Sequence, residues 1–224
     1  MTDSVDSRFY FETLYPLQDR VLRVLNDLET GFYLTGGTAA SRGYLNHRFS
    51  DDLDLFVNDD ERFGLWAARV IHGLLQHTAW RCDVLLQEQR FVRLVLFEGD
   101  VPLKIELIND VPSRVGTIRQ HPLLGRLDSP ENILANKITA LIDREEPKDL
   151  ADVWGFCCRM NLSLTEAILG AQSKAAGIFQ ADLARVLLSA SEADWAQVRW
   201  IEGPTAAQFV ADLHALGESL VLVV

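Results

Sequence analysis

Two short motifs about a dozen residues apart limit what this 224-residue chain can fold into. The first, Gly36-Gly37-Thr38, follows the apolar run Phe32-Tyr33-Leu34; the second is Asp52-Leu53-Asp54-Leu55-Phe56. Adjacent glycines let a backbone turn sharply and approach a ligand with no Cβ in the way. The helix-compatible residues after Thr38 present free N–H groups that favour an anion such as phosphate, and the Thr38 hydroxyl adds a donor. Side chains alternate along a strand, so Asp52 and Asp54 share one face while Leu53 and Leu55 take the other. Two carboxylates placed so closely repel each other unless a cation sits between them. Hard oxygen donors of this kind suit Mg²⁺ held jointly with substrate phosphates.

A third acid stands in the β-rich run Val101–Ile108, where Lys104 and Glu106 share a face and Leu103, Ile105 and Leu107 share the other. Lys104 and Glu106 read as charges of a cross-strand salt-bridging surface, or Glu106 reads as a further metal carboxylate, with Asp110 in reserve. Ahead of the glycines, the apolar spacing of Leu14, Leu17, Val21, Leu22, Leu25 and Leu28 predicts an amphipathic helix. Asn58-Asp59-Asp60-Glu61 reads as the start of another, and Trp80–Leu86 and Phe91–Phe97 as strands. Residues 110–128 read as an irregular or hairpin segment. Ser129-Pro130-Glu131 is a strong helix start, opening a helix to about Arg144 with Lys137 and Arg144 on one polar face. Pro147 opens the next, which places Asp149 and Asp152 on one face. Four more helical patterns follow, at 163–172, 178–190, 193–200 and 204–221. The apolar tail Leu220–Val224 is too short for a membrane and is expected to pack on the body or on a second copy.

The run GGTAASRGYLNHRFSDDLDLF resembles the AbiEii/AbiGii-type nucleotidyltransferase toxin family, within the superfamily of the DNA polymerase β type. The run LANKITALIDREEPKDLADVWGF resembles that family's second block. The resemblance covers roughly residues 30–157. It implies an α+β fold: a small mixed sheet with flanking helices and a C-terminal helical extension, divided here into a core at 1–128 and a helical region at 129–224 that completes the active site. It implies transfer of a nucleoside monophosphate from an NTP to an acceptor hydroxyl. Asp52, Asp54 and Glu106 would hold two Mg²⁺ ions (Mn²⁺ as substitute), with Asp149 also catalytic. Gly36, Gly37, Thr38, Ser50, Lys137, Lys148 and Asp152 would bind the nucleotide, with Lys137 a point charge on the triphosphate. It further implies a toxin acting on tRNA or another RNA, opposed by a cognate antitoxin. The alternatives are a small-molecule or protein nucleotidyltransferase, and a non-catalytic domain that keeps the fold.

Composition narrows the partners. With 21 Lys and Arg against 32 Asp and Glu, the net charge is −11, whereas phosphate-driven nucleic-acid binding calls for a basic surface. An RNA acceptor would need a local patch, expected around Arg42, His47 and Arg48, or a partner protein. Cys82, Cys157 and Cys158 form no CxxC pair, and the adjacent two are expected to be buried thiols. The five histidines form no zinc-ligand spacing. No apolar run is long enough to span a bilayer, and the polar, acidic opening lacks a signal-peptide layout, so a cytoplasmic location is expected.

Overall fold

The computed structural model describes residues 5–221. The chain divides into two compact units: Met1–Ala39, Ser50–Pro112 and Ile118–Asp128 form the first, and Ala40–Phe49, Ser113–Thr117 and Ser129–Val224 the second. Residues 40–49 and 113–117, which lie before position 129, thus belong to the second unit.

The first unit opens with helix α1 (Val5–Phe9), a π-helical turn (Tyr10–Leu14) and α2 (Tyr15–Asp27). Strand β1 (Tyr33–Thr35) leads into the helical turn α3 (Gly36–Thr38), which continues as a π-helical segment, Ala39–Leu45, that carries the chain into the second unit. After β2 (Leu53–Asn58) come α4 (Phe63–Leu75), β3 (Trp80–Gln87), β4 (Phe91–Glu98), β5 (Val101–Asp110), β6 (Arg119–His121) and β7 (Gly125–Leu127). The strands form one mixed seven-stranded sheet in the order β3-β4-β5-β2-β1-β7-β6. Only the β2–β5 and β1–β7 pairs are parallel.

Alternation sets the two faces of this sheet. Leu53, Leu55 and Val57 of β2, Leu103, Ile105 and Leu107 of β5, and Val92, Leu94 and Leu96 of β4 are all buried. Helices α2 and α4, which pack on each other, add Leu17, Val21, Leu22, Trp66, Val70 and Leu74 to the buried core. Burial of nine strand side chains on a single face, each stabilising by roughly 1.5–3 kcal/mol, pins the register, because a one-residue slip would turn them to water. The same register leaves Asp54, Lys104 and Glu106 partly exposed on the opposite face.

One sequence expectation fails here. Helix α4 starts at Phe63, not at Asn58–Glu61. Asn58 ends β2 instead, because its amide donates to the Val111 carbonyl at 2.8 Å and accepts from the Tyr33 hydroxyl at 2.7 Å. Those partners hold it in the sheet, and Asp59 turns the chain with φ of 46°.

The second unit is helical: α5 (Pro130–Arg144), α6 (Pro147–Trp154), a π-helical turn (Gly155–Arg159), α7 (Leu164–Gln172), α8 (Gln180–Leu188), α9 (Glu192–Gln197) and α10 (Ala206–Val221). Ser129 caps α5 as its sequence suggests, accepting from the Asn132 N–H, while its own hydroxyl donates to the Val115 carbonyl at 2.7 Å. The stretch before Phe49 joins this unit by strand-like pairing with 199–201. The Phe49 N–H donates to the Arg199 carbonyl at 2.8 Å, and the Ile201 N–H to the His47 carbonyl at 2.9 Å. Residues 198–200 therefore leave the helix expected there. Residues 1–4 and 222–224, including most of the apolar tail, lie outside the described residues. Among the described residues no helix is long and apolar enough to cross a membrane.

Candidate active site

On the open face of the first unit's sheet, Asp54 of β2 stands in register with Glu106 of β5, and Leu53 with Ile105. Asp52 immediately precedes β2. Its carboxylate meets the Lys104 ammonium at 2.7 Å, and that ammonium lies 3.6 Å from Glu106. Arg93, paired with Glu106 across β4 and β5, donates Nε to the same carboxylate at 2.7 Å. Three acids and two bases thus share one patch of sheet. Glu106 keeps only 14% of its side chain exposed, against 35% for Asp52 and 38% for Lys104. Partial burial pulls the Lys104 ammonium down, but its hydrogen bond to Asp52 and the fields of Asp52, Glu106 and Asp54 outweigh it, and its pKa is raised. Asp110 ends β5 with its carbonyl accepting from the Asp59 and Arg90 N–H groups.

The glycine turn abuts this patch. Gly36 has φ of +66°, and a Cβ there would overlap the Asp54 carboxylate, so the position needs glycine for both conformation and space. The Thr38 hydroxyl points inward: the residue is fully buried, donates to the Asp52 carbonyl and lies 3.0 Å from the Ser50 hydroxyl. Ser50 is buried as well, with its N–H bonded to the Tyr15 hydroxyl. In this structure Thr38, whose hydroxyl was expected to donate to phosphate, and Ser50 hold the turn against the Asp52 backbone. Gln18 donates to the Asp51 carbonyl at 2.9 Å, and the Tyr10 hydroxyl donates to the Asp51 carboxylate.

The second unit carries a separate buried charge cluster. Lys137, 7% exposed, contacts Asp149 and Asp152 at 2.7 Å each. Asp149 also accepts from Arg144 at 2.9 and 2.7 Å, and Asp152 from Arg48 Nε and Nη2 and from His47 Nε2. Both aspartates are fully buried. Burial penalises the Asp152 carboxylate, yet Arg48, Lys137 and His47 overcome that penalty and hold it well below the usual range. Burial likewise opposes the Lys137 ammonium, and Asp152 and Asp149 prevail and raise it. Burial lowers His47, outweighing Asp152, so its imidazole is neutral, with Nε2 the protonated nitrogen that donates and Nδ1 buried without a partner. This corrects the expected basic patch: His47 and Arg48 are 0% and 4% exposed and turn inward to Asp152, Arg48 as its counter-charge and neutral His47 as a hydrogen-bond donor. Lys148 is exposed and pairs with Glu146 at 2.8 Å.

A divalent ion, which the resemblance implies, needs hard oxygen donors. Asp52, Asp54 and Glu106 supply them on one face, and they already attract a cation, the Lys104 ammonium. The donor set fits Mg²⁺ chemically. Among the described residues, no three carboxylates, histidines or cysteines stand together as a ligand set in this conformation. Cys157 and Cys158 sit on the π-helical turn, and burial pushes their thiols up to about 12 and about 11, which keeps them protonated.

A glycine turn set against an acidic pair at the start of a central strand, within a mixed sheet flanked by helices, defines a nucleotidyltransferase fold. Two solved structures share it. One is MenT4, a nucleotidyltransferase toxin of Mycobacterium tuberculosis, with 17% identity and a TM-score of 0.66 over 94% of this chain and 84% of that one. The other is JHP933 of Helicobacter pylori, with 18% identity and a TM-score of 0.59 over 92% and 90%. The family model "Nucleotidyl transferase AbiEii toxin, Type IV TA system" matches residues 20–199, and the chain belongs to that family. It is a nucleotidyltransferase of toxin–antitoxin type. A comparison with curated proteins finds no match.

Proposed function

We propose that this enzyme moves a nucleoside monophosphate from an NTP to an acceptor hydroxyl, releasing pyrophosphate, at the open face of β2 and β5. One observation carries the reading: the Gly36 backbone is packed on the Asp54 carboxylate, in register with Glu106 and beside Asp52. Asp52, Asp54 and Glu106 would hold the divalent cation, Mg²⁺ or Mn²⁺. A cation held there would supply the charge that offsets the negative charge developing on the α-phosphate. Gly36 and Gly37 leave room for the triphosphate to approach the backbone, while Thr38 and Ser50 keep the turn and the Asp52 backbone at fixed spacing. Arg93 fixes the Glu106 carboxylate. Most of the rate enhancement then comes from positioning and preorganised charge. From the resemblance alone, the proposal extends to Lys137, Asp149, Asp152 and Lys148 as residues that serve the nucleotide.

The family's setting supports RNA as acceptor, tRNA included, a cytoplasmic site of action where NTPs are at hand, and a cognate antitoxin. A protein or small-molecule acceptor is the second reading. It is favoured by the net charge of −11 and by the burial of His47 and Arg48, two of the three residues of the expected RNA-facing patch. The test incubates the purified chain with each α-labelled NTP, total RNA and total protein. Label on RNA supports the first reading and label on protein or metabolites the second. No NTP-dependent labelling, or labelling that survives Asp52→Ala, overturns both.

A further inference from the structure

A cavity of about 360 Å³ opens at the far end of β2 from the carboxylates, and every residue that lines it belongs to the first unit. Asn58, on its wall, stands on the same face of β2 as Asp54, roughly 13 Å further along the strand. The wall holds a flat cationic platform. The Arg62 guanidinium lies 4.3 Å from the centre of the Trp66 ring, and Asp60 grips it through Nε and Nη2 at 2.9 and 2.8 Å. Trp66 is itself fixed, because its ring occupies the space that a Cβ on Gly31 would take. The outer surface of the guanidinium stays open, with 64% of the Arg62 side chain exposed. Glu29, Thr30 and Arg126 line the same cavity, and among the described residues none of the three has a side-chain partner. Glu29 and Asp60 balance Arg62 and Arg126, so the cavity is neutral in a chain whose net charge is −11.

We propose that this cavity binds a nucleotide, with the base stacked on Arg62, a base amino group donating to Glu29 and a phosphate met by Arg126. A guanidinium plane backed by an indole suits the π-face of any base. An unpaired arginine fork fits phosphate oxygens through two parallel hydrogen bonds. A carboxylate accepts from the amino groups that bases carry, and the volume is that of a small-ligand pocket. The balanced charge admits one phosphate and disfavours a triphosphate, which sets the cavity apart from the NTP site. The inference rests on the nucleotidyl transfer proposed above and deepens it. An RNA acceptor whose hydroxyl reacts at Asp54 would place an unpaired nucleotide here after about four stacked steps of ~3.4 Å. A free mononucleotide carries the same chemistry.

The test uses the full chain with its five tryptophans replaced by 5-fluorotryptophan, read by ¹⁹F NMR in EDTA, with the Trp66 line assigned from Trp66→Phe. Nucleoside monophosphates, single-stranded hexanucleotides and inorganic phosphate are titrated in separate arms. The Trp66 line should shift and saturate with a nucleotide but not with phosphate alone. Arg126→Gln should weaken that binding at least about tenfold, and Arg126→Lys should restore most of it. Saturation by hexanucleotides only identifies RNA as the source, and equal affinity for a monophosphate identifies a free nucleotide. No shift, a shift that phosphate reproduces, or undiminished binding in a folded Arg126→Gln chain overturns the inference. The native titration decides even if a variant unfolds. NTP labelling separates the two ideas. Labelling without a Trp66 shift sinks only this inference, whereas a shift without any labelling sinks the enzymatic reading and leaves the cavity a nucleotide site.

Discussion

Asp54 and Glu106 face each other across the parallel β2–β5 pair, with the Gly36 backbone seated on Asp54. Two like charges side by side contribute little to stability, so their value lies in what they hold. Asp54→Asn should lower NTP-dependent labelling at least about 100-fold, the scale of losing one preorganised electrostatic group, with the melting temperature unchanged or raised. Labelling within tenfold of the native rate would remove Asp54 from the chemistry.

Gly36→Ala probes the turn. The substitution strains a backbone at φ of +66° and drives a methyl into Asp54. Destabilisation of about 1–3 kcal/mol is expected from the strain, with a larger proportional loss of turnover because Asp54 must move. Chemical denaturation alongside the labelling assay reads both. Native-like stability and activity together would mean that the turn tolerates a side chain.

Lys137 tests the buried cluster. Lys137→Met leaves Asp149 and Asp152 each short of a counter-charge in a fully buried setting. A loss of about 3–5 kcal/mol in urea unfolding is expected. Pairing it with Asp149→Asn should recover part of that loss, because one of the two buried carboxylates that lost Lys137 goes with it. If Lys137 served only the nucleotide, the single variant would unfold like the native chain.

His47 sets a pH dependence. Its folded-state pKa is lowered, chiefly by burial, so the unfolded chain takes up a proton near pH 6.5 that the folded chain resists. Stability from this group is complete above pH 6.5 and falls as the pH drops below it, by up to about 1.4 kcal/mol per pH unit. Asp152, also depressed in the fold, adds the same sign further down: its contribution is full above the ordinary carboxylate range and is lost as pH falls below it. Denaturation midpoints between pH 7 and 5 should fall for the native chain and flatten for His47→Gln. An identical slope in the variant would assign the acid sensitivity elsewhere.

Cys157 should be inert while the chain is folded. With its thiol pushed up to about 12, it holds roughly 1000-fold less thiolate near neutral pH than a free cysteine would. Mass spectrometry after iodoacetamide treatment should find it unmodified until denaturant is added. Rapid labelling in native buffer would contradict its burial.

Local chemistry was readable in the sequence where the partners lie close along the chain. Ser129-Pro130 announces its helix because a cap needs only the next few residues, and the glycine turn ahead of Asp52 and Asp54 carries its meaning in spacing alone. The shared face of Lys104 and Glu106 was equally plain, but the approach of Lys104 to Asp52 required the parallel pairing of β2 with β5, which no local pattern dictates. The Thr38 hydroxyl looked like a free donor because sequence does not show that a hydroxyl is enclosed. Asn58 resembled a helix cap, and distant Val111 and nearby Tyr33 claimed its amide first. His47 and Arg48 were misread most clearly, since nothing beside them signals a buried aspartate beyond position 150.

That distance matters while the protein is being made. Arg48 and His47 find Asp152 only 104 and 105 positions later. A ribosome adding about 5–20 residues per second leaves the two basic side chains in water for roughly 5–20 seconds before their counter-ion emerges. The helical unit therefore cannot close around residues 40–49 until most of the chain has been translated, and a nascent chain cut short before Asp152 exposes a basic pair that the finished protein hides.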